Sequence, residues 1–274
     1  MHHGMKPKLS DKSDAKRMKR ETPFIRGGTK DSLTTIVALT LKDDITKEVF
    51  CSGNILSKTF IATAAHCMDK IKDKAGNLNV ENLEVVAGEA NLLNYRRGGT
   101  GLEEIFSVKR AIVHPHYNKE KYGNMVWDLA LLELNEEMDL DSNQRMEAAV
   151  LPPPELRLTG REITVGGWGQ TDGFQTGKRQ IFDLQVINIT VHPQEICEGK
   201  YLDSFITENM FCAGAKDTTA CPGDSGSGAL LHANGKIFLL GVVSYGFDGN
   251  CRDETVFHSL GKSLPWIFKE TGLK

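Results

Sequence analysis

From Leu33 onward the chain alternates short apolar runs with turn residues: Thr35 to Leu41, Asn54 to Ala62, Leu83 to Ala87, Glu162 to Val165, Phe182 to Val191 and Ile237 to Val243. Runs this short, rich in Val, Ile and Thr and bounded by Gly, Asn, Asp and Pro, read as strands. The pattern predicts an all-β fold. The stretch Asp139 to Pro154 ends in Leu151-Pro152-Pro153-Pro154 and resists both helix and central strand, because proline cannot donate to a ladder, so it suits a connection between two folded units. A helix fits Ser263 to Glu270, begun by Pro265 in its first turn, and a brief one fits near His192 to Glu198. There is no internal repeat.

A chain of 274 residues with 40% hydrophobic content can bury a large core as one large domain or two small ones. No stretch reaches the roughly 18 to 20 consecutive apolar residues of a membrane span, so no membrane association is expected. The net charge of −3 argues for no particular partner, but its distribution is uneven. Residues 1–24 hold seven Lys or Arg and three acids, leaving 26 basic against 33 acidic residues in the rest. That basic, apolar-poor tail is expected to be flexible. Its run Lys16-Arg17-Met18-Lys19-Arg20 reads as a linker or propeptide in preference to a nucleic-acid patch. Six cysteines allow three disulfides in any of fifteen pairings, or metal ligation, although no Cys-x-x-Cys spacing is present.

The octapeptide Cys221-Pro222-Gly223-Asp224-Ser225-Gly226-Ser227-Gly228 sets a serine among glycines, as an exposed nucleophile on a sharp turn would require. The same residues make ordinary loops, so the case needs a base and an acid elsewhere. A base stands in Thr63-Ala64-Ala65-His66-Cys67, after the apolar Phe60-Ile61-Ala62, which reads as a buried strand giving way to a turn. An acid stands in Trp127-Asp128-Leu129-Ala130-Leu131-Leu132, where an unpaired buried carboxylate would cost several kcal/mol and must therefore have a partner.

The chain order His66, Asp128, Ser225, with Ile25-Arg26-Gly27-Gly28, Cys51-Ser52-Gly53, Gly167-Trp168-Gly169, Asn209-Met210-Phe211-Cys212-Ala213-Gly214, Ser244-Tyr245-Gly246 and Leu264-Pro265-Trp266-Ile267, resembles the chymotrypsin-like (trypsin-like) serine proteases from Ile25 to the C-terminus. The resemblance implies two six-stranded antiparallel Greek-key barrels, at about 25–145 and 146–260, and a C-terminal helix at about 263–272, behind a tail at 1–24. It implies catalysis by His66, Asp128 and Ser225, an oxyanion hole from the amides of Gly223 and Ser225, and no cofactor or metal. It also implies disulfides Cys51–Cys67, Cys197–Cys212 and Cys221–Cys251, hence an oxidising, extracellular setting. The first 30 residues lack the apolar core of a secretory signal, so the chain reads as a mature or partial product of a secreted protein.

The resemblance further places Thr219 at the base of the specificity pocket, Thr255 at its wall, Gly246 at its entrance, and Ser244, Tyr245 and Gly246 on the strand that pairs with substrate. A base of Thr implies cleavage after uncharged apolar residues, with Asp217 two positions away as the route to an Arg or Lys preference. Activation would be a cut between Phe24 and Ile25, by a chymotrypsin-like protease or by the enzyme itself, after which the Ile25 ammonium pairs with Asp224. Expected partners are protein or peptide substrates and protein protease inhibitors. Departures from the pattern are Arg26, Ser227 and Gly228 in place of Gly and Pro, Tyr245 in place of Trp, and the absence of a Pro-Trp segment before Thr35. They hint at a regulated cascade role. The rival reading is a catalytically silent homologue serving as a binding or regulatory module. Glu89 and Glu104 flank a loop in the position of a calcium site but read as surface carboxylates, and Asn188-Ile189-Thr190 is a glycosylation sequon placed in a strand.

Overall fold

The computed structural model describes residues 29–30, 33–97, 103–117, 125–169, 182–200, 208–215, 218–246 and 254–274. A two-residue strand β1 (Thr29–Lys30) precedes the first barrel, which is built from β2 (Ile36–Leu41), β3 (Cys51–Ile55), β4 (Phe60–Thr63), β5 (Leu83–Ala87), β6 (Glu104–Val113) and β7 (Ala130–Leu134). These six close in the order β2-β3-β4-β7-β6-β5. The short helix α1 (Leu93–Arg96) lies between β5 and β6. The second barrel comprises β8 (Glu162–Gly167), β9 (Gln185–Val191), β10 (Met210–Gly214), β11 (Gly228–Ala233), β12 (Lys236–Gly246) and β13 (Thr255–Ser259), with α2 (Gln194–Lys200) between β9 and β10. Its order is β9-β10-β13-β12-β11-β8, closed by pairing of β8 with β9, and β1 adds to β9 from outside. All ladders are antiparallel, as the resemblance implies.

Alternation along each strand explains why the apolar runs lack polar gaps. In β4, Ile61 points into the first barrel with Val37, Leu39 and Leu132, while Phe60 and Ala62 point outward into a second cluster. That outer cluster joins Leu129 and Leu131 to Leu230, Leu239 and Val242 of the second barrel and to Leu260 and Ile267 of the terminal helix. Strands buried on both faces need apolar side chains at every position. A further apolar cluster joins Ile36, Ala38 and Val86 of the first barrel to Trp168, Leu184 and Val186 of the second. Stretch 139–154 runs between them as expected: Met146 packs in the first core, while Val150 hydrogen-bonds to Ile237 and Leu239 of the second.

Two expected elements are corrected. The run Asn54 to Ala62 is a hairpin instead of one strand, because the Ser57 hydroxyl accepts from the amides of Thr59 (3.3 Å) and Phe60 (3.1 Å) and folds the chain back. The terminal helix α3 (Leu260–Thr271) starts three residues before Ser263, so Pro265 falls in its second turn. Its C-terminus follows the usual glycine stop, with Gly272 left-handed (φ 72°) and donating to Phe268 O. Helix α2 is displaced by two residues from the expected His192 to Glu198. The remaining strands extend or trim the expected runs at their ends, and β5 coincides with Leu83 to Ala87.

Disulfides Cys51–Cys67 and Cys197–Cys212 are formed, and each closes a loop of a size that stabilises by about 3 kcal/mol. Cys221 is disulfide-bonded, and its expected partner Cys251 lies outside the described residues, as does tail 1–24. Among the described residues no helix is long and apolar enough to cross a membrane. Phe257 is fully buried in the second barrel and stacked on Phe211 with ring centroids 5.1 Å apart. Replacing Phe257 by Ala should lower the unfolding free energy by about 3–5 kcal/mol. Urea unfolding followed by tryptophan fluorescence measures this, and a loss under about 1 kcal/mol would contradict the packing.

Candidate functional site

Pairing of β4 with β7 puts Thr63 opposite Ala130, so the chain segments leaving these ends bring His66 and Asp128 together. His66 Nδ1 lies 2.7 Å from Asp128 Oδ2, and the His66 backbone amide donates to Asp128 Oδ1 at 2.8 Å. Asp128 has no exposed surface, and the His66 side chain retains 17% exposure. A third donor is the Ser244 hydroxyl, 2.5 Å from Asp128 Oδ2. Ser244 was expected on the substrate strand; it is on β12, and its side chain serves the acid. The buried carboxylate thus has three donors, which answers its desolvation cost.

The backbone just before Asp128 is constrained. Trp127 has φ of 56°, rare for an aromatic residue, and its ring stacks on His114 at 4.6 Å and 6°. Leu129 donates to Trp127 O and His114 donates to Leu129 O, which fixes the turn that aims Asp128 inward. His258 lies in the same cluster, its Nε2 within 2.7 Å of Ser263 Oγ. Burial lowers His114 to about 4 and His258 to about 3, so both rings are neutral near pH 7.

Ser225 comes from the other barrel, and its backbone is tied to the first one close to His66. Ser52 N donates to Ser225 O at 2.8 Å, and Ser52 follows Cys51, whose disulfide holds Cys67 next to His66. Glycines in left-handed conformation flank the serine, Gly223 at φ 101° and Gly226 at φ 81°. A Cβ on Gly226 would lie 2.3 Å from Ser52 O, so only glycine fits there. The amides of Asp224, Gly226 and Ser227 donate to Cys221 O, Val243 O and Asp224 O. Among the described hydrogen bonds those of Gly223 and Ser225 donate to nothing. The loop thereby presents two free N–H groups beside one hydroxyl.

Asp224, which precedes the serine, is completely buried and accepts from Gly169 N and Cys221 N at 2.8 Å each. Gly167 and Gly169 are glycine because a Cβ on either would fall within 2.6 Å of this carboxyl. Burial pushes Asp224 up to about 7, against the opposite pull of the two amides. Phe24 and Ile25 lie outside the described residues.

The expected pocket residues also converge. Thr219 and Thr255, both buried, have their hydroxyls 2.8 Å apart, and Ala220 N donates to Thr255 Oγ1. Gly246 pairs with Thr255 and leaves open space where a side chain would be. Tyr245 turns its hydroxyl toward Met210 Sδ at 3.9 Å. Asp217 is outside the described residues. Glu89 caps its own loop through Asn91 N, and Glu104 accepts from Asn143, so the two carboxylates have separate partners. Among the described residues the one cluster with metal-ligand geometry is Cys51, His66 and Cys67, whose sulfurs are joined in a disulfide. Asn188 is exposed on β9 and accepts from the Thr164 hydroxyl at 2.9 Å. Sequence reasoning missed Asn54, a buried amide on β3 that donates to Gly226 O at 2.9 Å. The signal was there in kind: a polar amide at the head of the run Asn54 to Ala62.

The profile of the Trypsin family matches residues 25–267. The chain is 32% identical over 236 residues to a trypsin of Phaedon cochleariae, covering 81% of this chain and 79% of that protein. It is 30% identical over 223 residues to chymotrypsin-like elastase family member 1 of Homo sapiens, with 79% of each covered. It is 32% identical over 238 residues to vitamin K-dependent protein C of Rattus norvegicus, covering 84% of this chain and about half, 48%, of that longer protein.

Asp224 generates a pH signature in the chain with residues 1–24 attached. A carboxyl raised from 3.8 to about 7 binds its proton more tightly folded than unfolded, so its contribution is full below pH 4 and is lost as pH rises through about 7. Asp224→Asn should flatten the decline in denaturation midpoint between pH 4 and 7. An unchanged slope in the variant would show that Asp224 is not protonated in that window.

Proposed function

The chain belongs to the trypsin family of serine endopeptidases, and from that premise we propose that it is a secreted protease, held as a zymogen, that cuts protein or peptide substrates after uncharged apolar residues. The observations that carry the reading are the His66–Asp128 couple and a Ser225 loop in which the Gly223 and Ser225 amides donate to nothing among the described hydrogen bonds. In this reading Ser225 Oγ attacks the substrate carbonyl while His66 takes its proton, and the oxyanion accepts from the two amides. His66 then returns the proton to the leaving amine, and water hydrolyses the acyl-enzyme by the same route. Asp128 holds the ring in the tautomer that leaves Nε2 free to accept, and it stabilises the imidazolium once formed. Asp128→Asn should lower kcat by about 10⁴ with the fold retained, as judged by circular dichroism and steady-state rates.

Specificity follows from the hydroxyl pair at the pocket base. Thr219 and Thr255 hydrogen-bond to each other, and Thr255 Oγ1 also accepts from Ala220 N; neither hydroxyl offers charge to a substrate cation. A Lys or Arg side chain buried there would lack a counter-ion, whereas Leu, Val, Met or Phe would meet two hydroxyls already occupied. Hydrolysis of peptides differing only in the residue before the cut tests this: Leu or Met above Arg is expected. Strong Arg cleavage would assign the pocket to Asp217 instead.

Activation by a cut between Phe24 and Ile25 would give the buried Asp224 carboxylate an ammonium partner and hold it ionised, fixing the loop that carries both amides. Phe24 is itself a residue such a pocket would accept, which supports self-activation. Residues 1–24 contain no cysteine, so no disulfide from them would tether the tail after the cut. A tightly controlled start suits a step in a proteolytic cascade better than bulk digestion. The Ser225→Ala chain should remain uncut at Phe24 under conditions in which wild type processes itself. A fluorophosphonate probe should label Ser225 only after that cut, and absence of labelling in the cut form would favour a silent binding module.

A further inference from the structure

We propose that Asn54 is a positioning residue for the Ser225 loop and that position 228 is glycine to make room for it; the proposal rests on the endopeptidase reading above. Asn54 lies on β3 with no exposed surface. Its Nδ2 donates to Gly226 O at 2.9 Å across the barrel interface, with a longer contact of 3.5 Å to Ala62 O on its own barrel. The other polar backbone groups of the serine and its successor are also tied, Ser225 O by Ser52 N and Gly226 N by Val243 O. Asn54 completes that set. What remains free on residues 225 and 226 is the Ser225 amide and hydroxyl, the two groups the chemistry needs. A free amide is a useful donor only if its direction is fixed, and three hydrogen bonds on the adjoining peptide groups fix it.

Gly228 belongs to the same device. A Cβ at 228 would lie 2.3 Å from Asn54 Oδ1, so any other residue there displaces the amide. The other close atoms, Leu239 Cδ1 at 2.6 Å and Leu230 Cδ2 at 2.9 Å, are ends of flexible side chains that can move aside. Gly228 has no positive φ, so backbone conformation does not explain its identity. The Gly228 departure from the usual proline and the presence of Asn at 54 are therefore one coupled change, linking positions 174 apart in sequence. A proline ring at 228 would occupy the space of the amide.

The test uses the protein after cleavage before Ile25. Asn54→Ala should lower kcat by about 10- to 100-fold, leave KM within about twofold, and slow fluorophosphonate labelling in proportion to kcat. Asn54→Asp, which fills the space but cannot donate when ionised, should behave similarly. Gly228→Ala should also lower kcat. The double variant Asn54→Ala/Gly228→Ala should retain more activity than the product of the single effects, because the added Cβ then enters vacated space. A folded Asn54→Ala with wild-type kcat, or strictly multiplicative single effects, overturns the proposal. If Asn54→Ala does not fold, Gly228→Ala carries the same test, and wild-type kcat there is equally fatal. Unlabelled wild type after confirmed cleavage would instead overturn the enzyme reading, and this proposal with it.

Discussion

The whole site depends on a seam between two barrels, and its central stitch is the hydrogen bond from Ser52 N to Ser225 O. His66 and Asp128 come from the first barrel and Ser225 from the second, so their mutual geometry is a property of the interface and of neither barrel alone. Phe60, Ala62, Leu129 and Leu131 set the distance by packing on Leu230, Leu239 and Val242. Apolar packing is strong but not directional, whereas hydrogen bonds from Ser52 and Asn54 are directional. The cluster brings the barrels together, and the polar stitches fix how the Ser225–Gly226 backbone sits against the first barrel.

Two carboxylates are buried at this seam, and their surroundings assign them different work. Asp128 has a donor on each side from His66 and a third from Ser244, enough to sustain the charge that a protonated imidazole would need. Asp224 has two backbone amides and is pushed up to about 7, close to balance between charged and neutral at physiological pH. A group near balance responds to a new neighbour, which is what a switch requires. The glycines at 167 and 169 leave room for its carboxyl, where any Cβ would collide with it.

Much of this was legible in the chain because the informative residues are chemically out of place. Asp128 within an apolar run, His66 after a buried strand and Ser225 among glycines each contradict their local pattern, and the resemblance joined them. Thr219 and Thr255 were singled out by the same alignment of motifs as base and wall of a pocket, while the hydrogen bond between their hydroxyls is known only from the structure. What was not legible depends on contacts made only on folding. The Ser57 hydroxyl that bends Asn54 to Ala62 into a hairpin is one polar atom in a run that otherwise reads as extended chain. The helix start at Leu260 is set by burial against both barrels, which overrides the preference of Pro265 for a first turn. Ser244 could be placed on its strand but not given its partner, since alternation says which face a side chain takes and not what it meets there.

In the proposed reading, proton handling and recognition fall on separate hydrogen-bonded groups. His66, Asp128 and Ser244 are bonded to one another, Thr219 and Thr255 are bonded to one another, and no hydrogen bond among the described residues joins the two groups. The loop 221–228 adjoins both, through Ser225 O, which accepts from Ser52 N and lies 3.8 Å from the sulfur of Cys67 next to His66, and through Cys221, which follows the Ala220 that donates to Thr255. A substitution in the pocket can therefore alter which residue is cut without disturbing the imidazole, whereas a change that reorients the loop alters rate and selectivity together. On that argument the glycine at 228 falls where barrel 1 supplies the Asn54 side chain, whereas the buried Ser227 hydroxyl has no hydrogen-bond partner among the described residues. Asn54 turns what would be a defect beside the nucleophile into a different way of holding the same peptide.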